Sequence, residues 1–268
     1  MAICEEGVAA RAGWNGCGAM ELVDYLIRPC GRHDELAACV RLQKDIWGYA
    51  EEEVYPLRLF INLTKIGGHV LGAFTPDGQA VGFVASMPAW HGRRRYYHSL
   101  SLGVLPGHED RGLGRALKLE QRKLALQAGI KLIEWTFDPL KVKNAYFNIV
   151  RLGAICRRYS ADHYGPFQNR FERGLPTDRL IAEWRLESPR VRRALAGKPP
   201  RTPTKAPATI VGFPQEILRL EEEQPQQARA IQAGVREQLI GSFARGLAIS
   251  GFERDDREAR YLLDPYRN

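Results

Sequence analysis

The feature that most constrains this chain is a change of rhythm at Val104. Up to that residue, apolar runs are short and separated by turn residues: His69–Phe74, a TPDG turn, Ala80–Pro88, a basic HGRRR turn, then Tyr96–Val104. TPDG between two apolar runs predicts a hairpin, because Pro presets the turn and Gly permits positive φ. After Val104 the apolar spacing becomes helical, with Leu113, Leu117, Leu124 and Ala128 along one face. Between the two regimes stands LPGHEDRGLGR. A strand, a glycine-rich loop and a helix in that order present several backbone N–H groups and the positive end of a helix dipole to one point in space. That point is an anion site, best suited to phosphate.

The remaining elements follow the same logic. Tyr25–Cys30 reads as a short strand, Asp34–Trp47 as an amphipathic helix ended by Gly48, and Pro56–Lys65 as a second helix stopping at Gly67-Gly68. Lys131–Phe137 is a buried-type strand, a helix runs from Val142 to Arg157 or Arg158, and Leu180–Leu186 is a further strand. The tail adds a strand at Ile210–Phe213, a helix carrying Ala228, Ile231, Val235, Leu239 and Phe243, and strands at Leu247–Phe252 and Arg260–Leu263. The expectation is an α/β protein around one mixed sheet.

Composition excludes several classes. Among 268 residues, 44% are hydrophobic and 26% charged, values of an ordinary globular chain rather than a disordered one. No apolar stretch approaches the roughly 20 residues of a membrane span, and the first twenty residues lack the apolar core of a secretory signal. Five cysteines (4, 17, 30, 39, 156) form no CxxC pair, so neither a disulfide scaffold nor a zinc ribbon is expected, and the expected compartment is a reducing cytoplasm. The six histidines are dispersed and no metal site is expected. The net charge of +8 suggests nucleic acid, but residues 189–208 alone hold six Arg or Lys, five Pro and no acid. That tract reads as a solvated basic linker rather than a groove for nucleic acid. The expected organisation is a loose extension over 1–19 with Met20 as an alternative start, a main domain over 20–188, the linker over 189–208, and a C-terminal extension over 209–268 that packs on or extends the sheet.

Three phosphate motifs compete for the glycine loop. Gly107 to Gly112 has GxxxxG spacing, but Leu113-Gly114 stands where a P-loop needs Lys-Ser/Thr. Gly112-x-Gly114 opens a dinucleotide fingerprint, but Leu117 occupies its third small position. The third is the RGxG pyrophosphate loop of acyl-CoA enzymes, here RGLG. The stretches LSLGVLPGHEDRGLGRAL and KLIEWTFDPLKVKNAYFNIVRLGA resemble the GNAT superfamily of acyl-CoA-dependent N-acyltransferases from Tyr25 to about Leu186. WTFDPL, NAYFNIVRLGA and GLPTDRLIAEW together are most similar to a bacterial GNAT subgroup with a C-terminal extension.

The resemblance implies a GNAT-like α/β fold with a mostly antiparallel central sheet flanked by helices. It implies acetyl-CoA or another acyl-CoA, such as succinyl-CoA, as co-substrate, and a small-molecule amine, such as a free amino acid, as acceptor. No membrane or nucleic-acid partner is expected. Arg111, Gly112, Leu113, Gly114, Arg115 and Ala116 would bind pyrophosphate through backbone N–H groups, Val104 would pair with the pantetheine arm, and Asn144 would contact CoA or cap its helix. The chain departs from the family in two places: Glu109 replaces the Gln or Arg that opens the loop, and Ile149 stands where a Tyr commonly protonates the leaving thiolate.

For the proton acceptor, two residues stand out. Family members often place a carboxylate on the fourth strand, but YYHSLSLGV has none. His98 is the side chain there with a reference pKa near neutrality, about 6.5, and even spacing puts it on one face with Leu100, Leu102 and Val104 unless a bulge intervenes. Glu134 within IEWTF faces either the acyl site or solvent, since an acid in an apolar strand is costly unless partnered. Asp138-Pro139 reads as a turn, and Cys156 as a small buried residue. Two other readings stay open: a non-catalytic CoA- or metabolite-binding module, and an RNA- or ribosome-associated basic protein.

Overall fold

The computed structural model describes residues 25–165, 174–198 and 206–266. The expected extension over 1–19, Met20, Cys4, Cys17 and residues 199–205 of the basic tract lie outside them. The chain divides into two compact units, Met1–Ile130 and Lys131–Asn268. Each is an antiparallel sheet with helices against it, which is the mostly antiparallel α/β architecture read from the sequence.

In the first unit the strands are β1 (Leu26–Pro29), β2 (His69–Phe74), β3 (Ala80–His91) and β4 (Arg94–Val104), paired in chain order. Every residue of β2 is buried, because helices cover both faces of the sheet. Helices α1 (His33–Trp47) and α2 (Leu57–Lys65) pack Leu36, Cys39, Leu42, Phe60 and Leu63 onto Val70, Phe74, Phe83 and Ala85. On the other face, α3 (Leu113–Gln127) sets Leu113 and Leu117 against Leu71, Ala73, Val81 and Val84. The two sets alternate with a period of two along β2 and along β3 from Phe83 onward, while Val81, an extra residue opposite Ala73 and Phe74, is out of step. Gly48 ends α1 at φ +67 and Gly78 closes the TPDG turn at φ +87, its N–H bonded to the Thr75 carbonyl.

The second unit holds β5 (Leu132–Phe137), β6 (Ile155–Ser160), β7 (Arg179–Arg185), β8 (Thr209–Pro214), β9 (Leu247–Arg254) and β10 (Glu258–Pro265), ordered β5-β7-β6-β9-β10-β8. Its helices are α4 (Val142–Ala145, continued as a π-helical turn over Tyr146–Arg151), α5 (Pro189–Leu195), α6 (Ile217–Glu223) and α7 (Pro225–Ala244). β9 meets β6 at Ile249 opposite Cys156, so the last strands continue the sheet of this unit. Buried anchors hold them in place. Arg236 of α7 forms a two-pronged ion pair with fully buried Asp178, at 2.8 and 2.9 Å, and the Tyr261 hydroxyl donates to the Pro139 carbonyl at 2.6 Å.

Two sequence expectations fail here for visible reasons. The helix from Val142 ends at Arg151, not at Arg157. The π turn bonds the Leu152 N–H to the Phe147 carbonyl, and Gly153 at φ +76 then reverses the chain into β6. The basic tract does not begin as an extended linker: its first seven residues are α5. The Ser188 hydroxyl caps the Val191 N–H, Pro189 occupies the first turn, and Val191 is fully buried. Among the described residues no helix is long and apolar enough to cross a membrane.

Candidate functional site

The loop between β4 and α3 is built for close approach. Gly107, Asp110 and Gly112 all have positive φ, at +87, +58 and +81. Gly112 is the N-cap of α3, and no side chain caps that helix. The first intrahelical bond runs from Ala116 N–H to the Gly112 carbonyl at 3.0 Å, which leaves the N–H groups of Leu113, Gly114 and Arg115 at the helix mouth. A Cβ added at Gly114 would meet nothing within 4 Å, so open space lies beside the backbone there. Arg111 flanks the mouth, its guanidinium donating to the Tyr25 hydroxyl at 3.2 Å, while Tyr25 pairs with His108 Nδ1 at 2.8 Å. Glu109 is exposed, which keeps its carboxylate in solvent.

β4 is not regular. Ser86 of β3 faces Ser99 while Ala85 faces Ser101, so Leu100 is an extra residue, a β-bulge. The bulge overturns the single-face expectation for His98, Leu100, Leu102 and Val104. His98 sits opposite Met87, which packs with Leu100 against the α1–α2 cluster. Past the bulge, Leu102 and Val104 pack on the α3 side. His98 is half-buried. Val104 lies opposite Gly82, and the next residue, Leu105, donates its N–H to the Val81 carbonyl at 2.7 Å.

Beneath β3 and β4 lies a cluster that the sequence did not reveal. The Lys118 amine is buried and donates to Ser99 Oγ at 3.1 Å and to Gln121 Oε1 at 3.0 Å; Gln121 Nε2 in turn reaches Ser86 and Ser99. Burial pushes the Lys118 pKa well below its usual value. His69 is buried nearby, its Nε2 without a hydrogen bond, and burial followed by the Lys118 charge lowers its pKa to about 4. The only hint in the sequence is that Lys118 and Gln121 fall on the apolar stripe of α3.

In the second unit, Glu134 of β5 is neither solvated nor unpartnered. It is 4% exposed and accepts from Arg158 at 2.6 Å. Glu183 stands opposite it on β7, and a bulge at Arg157 lets both Arg157 and Arg158 reach this carboxylate pair. Asn144 is exposed in α4. Ile149 is fully buried and offers an apolar side chain, with no proton to donate. Asp138 Oδ1 accepts from the Leu140 N–H at 2.8 Å, a turn as expected, and Cys156 is fully buried.

Residues 36–147 match the model of the acetyltransferase (GNAT) family, and every candidate residue named above, from His98 to Asn144, falls inside that range. No curated protein matches the chain. Among solved structures it is similar to a GNAT-family acetyltransferase from Streptococcus pneumoniae, at 16% identity over 60% of this chain and 98% of that one, TM-score 0.48. It is also similar to Arabidopsis thaliana NAA60 in complex with acetyl-CoA, at 18% identity over 60% and 98%, TM-score 0.48. The ribosomal-protein-S18-alanine N-acetyltransferase of Escherichia coli is similar at 13% identity over 61% and 95%, TM-score 0.48. The likeness to the acetyltransferase (GNAT) family model thus spans residues 36–147, the stretch that holds β4, the glycine loop, α3 and β5.

Proposed function

We propose that the chain is an acyl-CoA-dependent N-acyltransferase that moves an acetyl or similar acyl group from CoA to the amine of a small molecule. The observation that carries this reading is the mouth of α3, a helix without a side-chain cap, opened by Gly112 in a left-handed conformation and with empty space at Gly114. Backbone donors and a helix dipole suit a pyrophosphate without any lysine. Arg111 and Arg115 supply flanking charge, Leu113 and Ala116 complete the first turn, Val104 is the proposed backbone partner of the pantetheine arm, and Asn144 a proposed CoA contact.

In this reading the amine nitrogen attacks the thioester carbon, the C–N bond forms, the C–S bond breaks, and the thiolate leaves with a proton. The protein contributes positioning, a proton acceptor and stabilisation of the oxyanion. His98 is the proposed acceptor. Glu134 is the second candidate, and its close ion pair with Arg158 suits a structural role better than proton transfer. A second reading, a non-catalytic CoA-binding module, is favoured by Ile149 in place of the usual tyrosine. Turnover separates the two. Acetyl-CoA and succinyl-CoA are each incubated with a panel of amino acids and other small amines while free thiol is followed. Amine-dependent thiol release supports the enzyme; acyl-CoA-induced thermal stabilisation without thiol release across the panel supports the module.

A further inference from the structure

The second unit contains a cavity of about 530 Å³ to which none of the candidate acyl-transfer residues contributes. That volume falls within the range of small-molecule sites, roughly 300–1,000 Å³. Its lining carries Arg185, Arg190 and Arg193 against a single carboxylate, Glu183, which leaves two excess positive charges. Glu183 is already engaged by Arg157 at 2.8 Å and by Arg185 at 3.4 Å. It is therefore not a counter-ion in reserve for the other two arginines.

Arg190 is held in an unusual way. Its guanidinium donates to the Gly153 carbonyl at 3.0 Å and to the Ile149 carbonyl at 3.3 Å. Among the described residues it forms no ion pair. Burial lowers its pKa to about 10, and the charge of Asp264, which acts to raise it, offsets that only in part. Gly153 makes this placement possible: a Cβ there would lie 3.0–3.2 Å from Ala194, Val191 and Arg190, so only glycine lets α5 press against the end of the π turn. Arg193 follows Arg190 by three residues on α5 and is exposed, so the two share one side of the helix. Tyr266 forms an aromatic wall whose ring is flanked by the guanidinium groups of Arg157 and Arg185, at 5.4 and 5.5 Å.

We propose that this cavity binds a small organic dianion, a phosphate monoester or a dicarboxylate, with Arg190 and Arg193 as its charge partners and Tyr266 against its carbon skeleton. Two oxyanion charges balance the two in excess, and the planar guanidinium fork suits phosphate and carboxylate alike. The site shares no residue with the α3 loop, so it stands whether or not the chain transfers acyl groups.

The test is calorimetry on the full chain with CoA present in excess, so that the α3 loop does not compete for the probes. The probes are glycerol 3-phosphate and glutarate, with glycerol and acetate as neutral and monoanionic controls. The expected result is saturable binding of at least one dianion at one per chain, weakened about tenfold or more in both Arg190→Gln and Arg193→Ala. Binding of glycerol 3-phosphate alone identifies a phosphate site, and of glutarate alone a carboxylate site. Arg193 is exposed, so Arg193→Ala keeps the fold and decides the matter even where Arg190→Gln does not. Absence of saturable binding by either dianion, acetate binding as tightly as the dianions, or unchanged affinity in folded Arg193→Ala overturns the proposal.

Discussion

His69 and Lys118 show how single side chains in the first unit tie stability to pH. Both are buried, and both have pKa values held below normal by burial, His69 at about 4 against 6.5. For each, the unfolded chain takes up a proton at a pH where the folded chain does not, so stability falls as pH falls. For His69 the window runs from pH 6.5 down to about 4, a contribution of at most about 3 kcal/mol. His69→Phe keeps an aromatic ring against Tyr97, which meets the imidazole edge-on at 5.1 Å. Denaturant melts of this variant across that window should show a flatter acid-side decline than the wild type; an identical decline would mean that His69 is not the titrating group. Sequence reading missed this cluster because a lysine on a helix is ordinarily solvated, and only the packing of α3 on β3 and β4 shows that Lys118 has no route to water.

Among the elements, those with strong periodicity or turn chemistry were legible from the sequence. α1 with its glycine stop, the TPDG hairpin and the β4–loop–α3 unit all occur where apolar spacing and glycine placed them. β6 was not legible, because ICRRYS follows a helical run without a proline and the chain reversal depends on Gly153 fitting under α5. α6 and α5 were hidden by acidic and basic composition, although Ile217, Leu220, Val191 and Ala194 are buried. The anion loop was readable residue by residue, whereas the bulge at Leu100 was not, since alternation alone carries no signal for an inserted residue. That bulge matters for chemistry because it turns His98 to the α1–α2 face. If His98 accepts the amine proton, His98→Gln should lower kcat roughly a hundredfold while acyl-CoA affinity stays intact. An unchanged kcat and pH profile with the amine that supports turnover would remove His98 from the mechanism.

For the whole molecule, the last sixty residues are part of the second unit's architecture rather than an appendage. Their strands continue its sheet from β6, and Arg236 neutralises Asp178 at its buried position. Ending the chain at Ala208 would expose the β6 edge and remove Arg236, the ion-pair partner of Asp178. The truncated protein should be insoluble or melt well below the full chain; a soluble truncation with an unchanged melting temperature would show the tail to be dispensable. The central claim, that the mouth of α3 holds the pyrophosphate of an acyl-CoA, is tested most directly by acetyl-CoA calorimetry on the wild type and on Gly114→Val. Gly112 is a poorer choice because its φ of +81 strains any side chain, whereas Gly114 has open space and no such strain. The prediction is one-to-one binding by the wild type and at least tenfold weaker binding by a Gly114→Val protein whose circular dichroism is unchanged. Equal affinity in the folded variant would contradict the account.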